Sequence, residues 1–166
     1  MSNNSPPDQA SFRATASTRN LKLKRPSVTQ RHNHVDYVMW GLDSGQCSYS
    51  VSLDIKYRNT KGSDKWHWLE FKNSKGRPGW LYMESDFIVF ERKKDYLIVN
   101  RKNLVEWTNS TSSIRHDMPR VSNSWQAKYR IYGRPHKHEA ITQVQDADLL
   151  QIRGTEVWPK VHEKES

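Results

Sequence analysis

In the stretch Ser48-Tyr49-Ser50-Val51-Ser52-Leu53-Asp54-Ile55-Lys56-Tyr57, every second residue is apolar or aromatic. Successive side chains of a β-strand point to opposite faces, so this period of two predicts a half-buried strand. Tyr49, Val51, Leu53, Ile55 and Tyr57 form its inner face. Asp54 and Lys56 then share the other face, an acid and a base side by side.

Outward from this strand, short segments of the same character alternate with turn signals. Residues 35–40 form a first strand, closed by Gly41 and by Asp43-Ser44-Gly45. Trp66 to Phe71 resumes the pattern after a Lys-Gly turn, and residues 73–79 are a loop with two glycines and a proline. Residues 86–91 and 95–100 read as a hairpin across Arg92-Lys93-Lys94. Leu104, Val105 and Trp107 suit a short helix over 101–107, and 108–123 is too polar to be other than a long loop. Residues 127–132 read as a strand, and 147–152 as a closing strand or short helix. Residues 1–20 are rich in Ser, Thr, Asn and Pro, and read as a flexible polar arm with a weak helical turn or two around Asp8 to Thr18. The expectation is a single α/β domain over 21–160, strand-rich with few helices, followed by a polar tail at 161–166.

Composition narrows the partners. The chain of 166 residues carries 27 Lys and Arg against 18 Asp and Glu, a net charge of +9. That surplus points to nucleic acid, although charge speaks to association and not to fold. Only 34% of residues are hydrophobic, but seven Trp, seven Tyr and four Phe supply large buried areas, which argues against a disordered chain. No apolar run approaches the roughly 20 residues of a membrane span. Met1-Ser2-Asn3-Asn4-Ser5-Pro6-Pro7 has neither a basic nor an apolar stretch of a secretory signal. One cysteine, Cys47, excludes an intrachain disulfide framework and suits a reducing, cytoplasmic setting. There is no phosphate-binding glycine loop of either common kind, so nucleotide hydrolysis and dinucleotide chemistry have no support.

The informative residues are carboxylates at strand positions in a basic chain. Asp36 opens the first strand, and Asp54 and Lys56 can face it if the two strands pair. Glu70 adds a carboxylate on the next strand. Magnesium takes oxygen ligands, keeps several waters and needs only one or two carboxylates. A metal so held acidifies a water and stabilises charge on a phosphodiester, with a lysine to position the nucleophile. An Asp-x-Lys pair alone is ordinary on a solvated strand, so the spacing carries little without its context.

That context resembles a known family. His34-Val35-Asp36-Tyr37 followed by Leu53-Asp54-Ile55-Lys56-Tyr57-Arg58 is similar to the PD-(D/E)xK nuclease superfamily. Asp36 matches its first aspartate and Asp54-Ile55-Lys56 its (D/E)xK. Trp68-Leu69-Glu70-Phe71, Gly76-Arg77-Pro78-Gly79-Trp80-Leu81-Tyr82 and Ser85-Asp86-Phe87-Ile88-Val89-Phe90 resemble small phage-encoded nuclease-like proteins of this kind. The likeness covers about residues 30–107. It implies a restriction-endonuclease-like mixed sheet and a Mg²⁺- or Mn²⁺-dependent endodeoxyribonuclease acting in phage or host DNA processing, on branched DNA among other forms. It implies Asp36, Asp54 and Glu70 as metal ligands, Lys56 as the residue that orients the attacking water, and a cytoplasmic location, the host's if phage-encoded. A homodimer is an assembly that nucleases cutting both strands often use. Val35 replaces the family's proline, and the acidic residue of its N-terminal helix has no clear counterpart, Gln30 and Asp8 being the candidates. A second alignment takes Asp54 as the first aspartate and Glu70-Phe71-Lys72 as the ExK; the first keeps residues 80–90 in the expected order.

Arg58, Lys61, Lys65, Lys72, Lys75 and Arg77 are expected to hold DNA phosphates, and Arg92, Lys93, Lys94, Arg101 and Lys102 form a second basic group. Trp66, Trp68 and Trp80 have the type of side chain that stacks on unpaired bases. At least two of them are expected in the core, with Trp80, beside Gly79, the one left open. His136 and His138 lack partners for zinc and read as part of a basic loop; His34, His67 and Cys47 receive no role. The rival readings are a non-catalytic basic DNA- or RNA-binding module and a structural interaction protein. Only the nuclease requires Asp36, Asp54 and Lys56 to converge.

Overall fold

The computed structural model describes residues 9–43, 46–58 and 62–161. Its elements are α1 (Gln9–Thr18), β1 (Leu21–Lys24), α2 (Val28–His32), β2 (Tyr37–Asp43), β3 (Gln46–Lys56), β4 (Trp66–Lys72), β5 (Phe87–Glu91), β6 (Asp95–Asn100), α3 (Arg101–Ser110), β7 (Ala140–Gln145), α4 (Asp146–Gln151) and β8 (Glu156–Pro159). A six-stranded mixed sheet runs β1-β2-β3-β5-β6-β8, and β4 pairs with β7 in a separate two-stranded sheet. The fold is mixed α and β and strand-rich, as the sequence pattern predicts. No helix among the described residues is long and apolar enough to cross a membrane.

The large sheet is buried on both faces at its centre, which is why Phe87-Ile88-Val89-Phe90 and Tyr96-Leu97-Ile98-Val99 are unbroken apolar runs. Val89, Tyr96 and Ile98 face one side, with Tyr37, Leu53, Ile55 and, from α1, Phe12 and Ala16. Ile88, Phe90, Leu97 and Val99 face the other, against Leu69, Phe71 and Val144 of the small sheet, Leu104 of α3 and Leu149 of α4. All neighbours in the large sheet are antiparallel except β3 and β5, which run parallel with Asp54 opposite Ile88 and Lys56 opposite Phe90. Opposed residues share a face. Asp54 and Lys56 therefore point to the side that β4 covers.

The parallel pair is pinned by Asp86. Its Oδ2 accepts from Ser52 N at 2.8 Å and from Ser52 Oγ at 3.1 Å, and its own N–H donates to Ser52 O at 2.9 Å. Asp86→Ala should lower stability by about 1–2 kcal/mol, since charge-assisted bonds are lost at a solvated site; chemical denaturation measures it, and an unchanged midpoint would remove Asp86 from this role.

Two expectations change, and a third, left between two alternatives, is resolved. The weak turns expected around Asp8 to Thr18 are a ten-residue anchored helix, α1, and Phe12 is fully buried, its ring stacked 6.2 Å from Trp158 and edge-on to Tyr96 at 5.1 Å. Polar composition hid a helix with one anchoring face, Phe12-Thr15-Ala16. The folded unit thus begins before residue 21; residues 1–8 of the arm and 162–166 of the tail lie outside the described residues. Residues 127–132 are not a strand. They make isolated bridges, Lys128 to Gln143 and Tyr132 to Ile141, as a loop that follows the edge of β7. The closing segment 147–152 takes its helical alternative, α4, capped by Gln145 and Asp148.

Candidate functional site

The site is built where β2, β3 and β4 meet. Ser27 and Gln30 close a capping box on α2, with Ser27 N donating to Gln30 Oε1 at 2.9 Å. Gln30 is thus used by its own helix, and Asp8 lies outside the described residues. The chain then turns through His34, at a φ of 60°, to place Asp36 just before β2. Asp36 N donates to Leu53 O at 2.7 Å, and Asp36 Oδ2 accepts from Ile55 N at 2.7 Å. Those two bonds hold the exposed Asp36 carboxylate across the backbone of Asp54.

Asp54 is 2% exposed. Its Oδ1 lies 2.9 Å from Lys56 Nζ, and its Oδ2 is buried with no hydrogen-bond partner. Burial pushes the carboxyl up to about 7; the Lys56 ammonium pulls against that, and the Asp36 carboxylate adds to it. Lys56 Nζ also sits over the Trp80 ring, 4.4 Å from its centroid. Trp80 N donates to Glu70 Oε1 at 3.1 Å, so the same tryptophan touches Lys56 with its ring and Glu70 with its backbone. Gly79 lets this strap lie on β4: its N–H donates to Phe71 O at 2.8 Å. Burial first, then the Lys56 ammonium, draws the His34 imidazole below its ordinary value, while Glu70 and Asp36 oppose. His34 therefore stands within electrostatic reach of all three charged groups. Sequence reading gave it no role, although its place two residues before Asp36 was visible.

The structure brings Asp36, Asp54 and Lys56 together, and sets Glu70 beside them through Trp80. Lys72, the lysine of the second alignment, instead lines a separate cleft with Lys75, Gly76, Arg120 and His138. Among the described residues no three His, Cys, Asp or Glu side chains form a ready-made metal cluster. The Asp36–Asp54 pair nevertheless suits a hexacoordinate ion that keeps most of its waters, because Asp54 Oδ2 is a buried oxygen without a donor. Glu70, with one oxygen given to Trp80, fits as support beside that pair.

The basic residues divide. Lys72 and Lys75 face one cleft of about 550 Å³ together with Arg120 and His138. Arg120 and His138 come from the last third of the chain, His138 from the segment read as a basic loop; only tertiary contact sets them beside Lys72 and Lys75. Arg77 and Lys65 are exposed, and Lys61 lies outside the described residues. Arg58 is tied to Asp64 at 2.6 Å. In the second basic group, Arg92 is a structural clamp on Asp95 at 2.6 Å and Asp146 at 3.0 Å. Arg101 likewise donates to Ser85 O at 2.5 Å and Leu81 O at 3.1 Å. The sequence puts at least two of the three tryptophans in the core, but one is there: Trp80, whose place it leaves undecided, is buried at 7% exposure, while Trp66 is half-buried and Trp68 is 39% exposed. Trp80 is buried by its strap over β4, whereas Trp66 and Trp68 lie on the less covered face of a two-stranded sheet.

Compared with family models, curated proteins and solved structures, the chain matches none of them.

Proposed function

We propose that this protein is a metal-dependent endodeoxyribonuclease of the PD-(D/E)xK kind that hydrolyses phosphodiester bonds in DNA and works in the cytoplasm, the host's if it is phage-encoded. The observation that supports it is the meeting of Asp36, Asp54 and Lys56, with an orphan oxygen on Asp54. Asp36 and Asp54, with Glu70 in support, would hold Mg²⁺ or Mn²⁺, which when bound acidifies water and neutralises charge on the phosphodiester. Lys56, anchored on Asp54 and braced by Trp80, directs an N–H toward the attacking water. Water adds to phosphorus and the bond to one sugar oxygen breaks, leaving a phosphate end and a hydroxyl end. Lys72, Lys75, Arg77 and Arg120 supply phosphate contacts along the strand, whose binding then weakens with salt.

The basic cleft also supports a second reading, a DNA- or RNA-binding module without catalysis. Supercoiled plasmid and a branched DNA, incubated with Mg²⁺ or Mn²⁺, separate the two. The wild type should cut, and Asp54→Asn should cut at least about a hundred-fold more slowly while still binding, as expected when a charged group of the site is neutralised. Salt-sensitive binding by both proteins without cutting would leave the binding module. Sedimentation of the protein with and without DNA tests the homodimer.

A further inference from the structure

A second cavity opens beside Lys56, between the end of β3 and β4, with a volume of about 440 Å³. That is within the range of small-ligand sites. Trp66, Trp68 and Trp80 line it, together with Lys56, His67 and Gln143. These six fall into three kinds. The tryptophans give flat apolar walls: Trp66 is fixed by the edge of Tyr129 at 5.5 Å and by Lys128 at 5.0 Å, while Trp68 is free on one side and tilted at 45° to Tyr132. His67 and Gln143 give hydrogen-bonding edges. The His67 side chain is nine-tenths buried, packed edge-on against Phe90 at 5.5 Å, and its Nε2 has no partner. Lys56 gives the positive charge, shared with Asp54, while the cavity's own carboxylates, Asp64 and Glu91, are already paired with Arg58 and Lys160.

Trp68 lines the cavity with 39% of its surface exposed, so it is accessible to an occupant of the pocket. The occupant must be flat, able to hydrogen-bond at its edge, and joined to an anion that reaches Lys56. A nucleobase on a phosphate backbone meets all three conditions; an aliphatic or a cationic ligand fails at least one. The geometry points to this cavity as a pocket for one unpaired nucleobase of a DNA strand, stacked against Trp68 with its phosphate turned toward Lys56. The inference shares with the proposed function the identification of DNA as the partner. It goes further in naming the substrate class: a single strand, flap or branch point, since a base paired in duplex must first be unstacked.

Equilibrium binding in EDTA tests it with a short fluorescein-labelled single strand and the duplex of the same sequence. The wild type should bind the single strand about ten-fold or more tightly than the duplex, and Trp68→Ala should lose about ten-fold on the single strand alone, as base–aromatic stacking implies. Trp68→Phe should keep the preference. Quenching of tryptophan fluorescence by the single strand and not by the duplex gives the same readout in the unaltered protein. Equal affinity for both forms, or a Trp68→Ala loss shared by both, overturns the pocket. Metal-dependent cutting is read separately. Cutting indifferent to Trp68 and to strandedness removes the pocket and keeps the nuclease, whereas a Trp68-dependent preference without cutting removes the nuclease and keeps the pocket.

Discussion

In EDTA at pH 8, Asp54→Asn should melt at a higher temperature than the wild type, and the difference should disappear below about pH 4. Burial raises the Asp54 carboxyl from 3.8 to about 7 in the folded protein, against the pull of Lys56 and with the help of Asp36. Between those two values the native state keeps its proton while the unfolded chain has released it. Stability therefore falls as pH rises from about 3.8 to 7, the full penalty applies above 7, and none applies below 3.8. A rise of that size corresponds to at most about 4 kcal/mol, or several degrees of melting temperature in a chain of this length. Asparagine carries no charge to desolvate. It leaves Lys56 without its anion, but that ammonium is 25% exposed and rests on Trp80, so the loss is the smaller effect. Mg²⁺ at pH 8 should then raise the melting temperature of the wild type by mass action and leave Asp54→Asn unmoved. Identical melting of the two proteins from pH 4 to 8 would mean that Asp54 is not held in a desolvated site.

Gly79→Ala should cost about 3 kcal/mol or more, at the upper end of the overpacking range. The φ at Gly79 is −76°, which any residue adopts, so the constraint is space. A Cβ there would lie 2.3 Å from Glu70 O, 2.6 Å from Glu70 C and 2.8 Å from Glu70 Cγ. Two of those atoms are backbone within β4 and cannot swing aside. The strap must lift, and with it go the bond from Trp80 N to Glu70 and the bracing of Lys56. Urea denaturation should show the loss, and cutting should fall with it. Gly154→Ala is the control: its φ of +83° strains alanine, but nothing lies within 4 Å of the added carbon, so the cost is about 1 kcal/mol. Equal penalties at the two positions would show that crowding at Glu70 is not what requires glycine.

The central strands were legible because burial on one or both faces leaves a short-range trace, in alternation at β3 and in apolar runs at β5 and β6. The placement of Asp54 and Lys56 on one face followed from the same period. What escaped depends on distant contacts. Helix α1 is anchored by Phe12 in a groove made by Tyr96 and Trp158, residues that no local window contains. Strand β7 alternates as Ala140, Thr142 and Val144 inward, but a threonine and an alanine make a faint inner face. The fates of the three tryptophans could not be ranked from spacing, because Trp80 is buried by its strap and Trp68 is exposed by the edge of a two-stranded sheet. Arg92 and Arg101 read as free cations, and only the fold shows their carboxylate and carbonyl partners.

The stacking of Phe12 on Trp158 has a consequence for synthesis. One hydrophobic face of the large sheet is completed by side chains from both ends of the described chain, with Val161 N donating to Thr15 Oγ1 at 3.3 Å and the Arg19 guanidinium over the Trp158 ring at 4.8 Å. A ribosome releases the chain from one end to the other, so α1 emerges long before its partner. Until Trp158 clears the exit tunnel, Phe12 has half of its seat and β6 has a bare edge. The clasp between α1 and the β8 segment therefore closes only after all the strands between them have emerged, and it completes that face of the sheet.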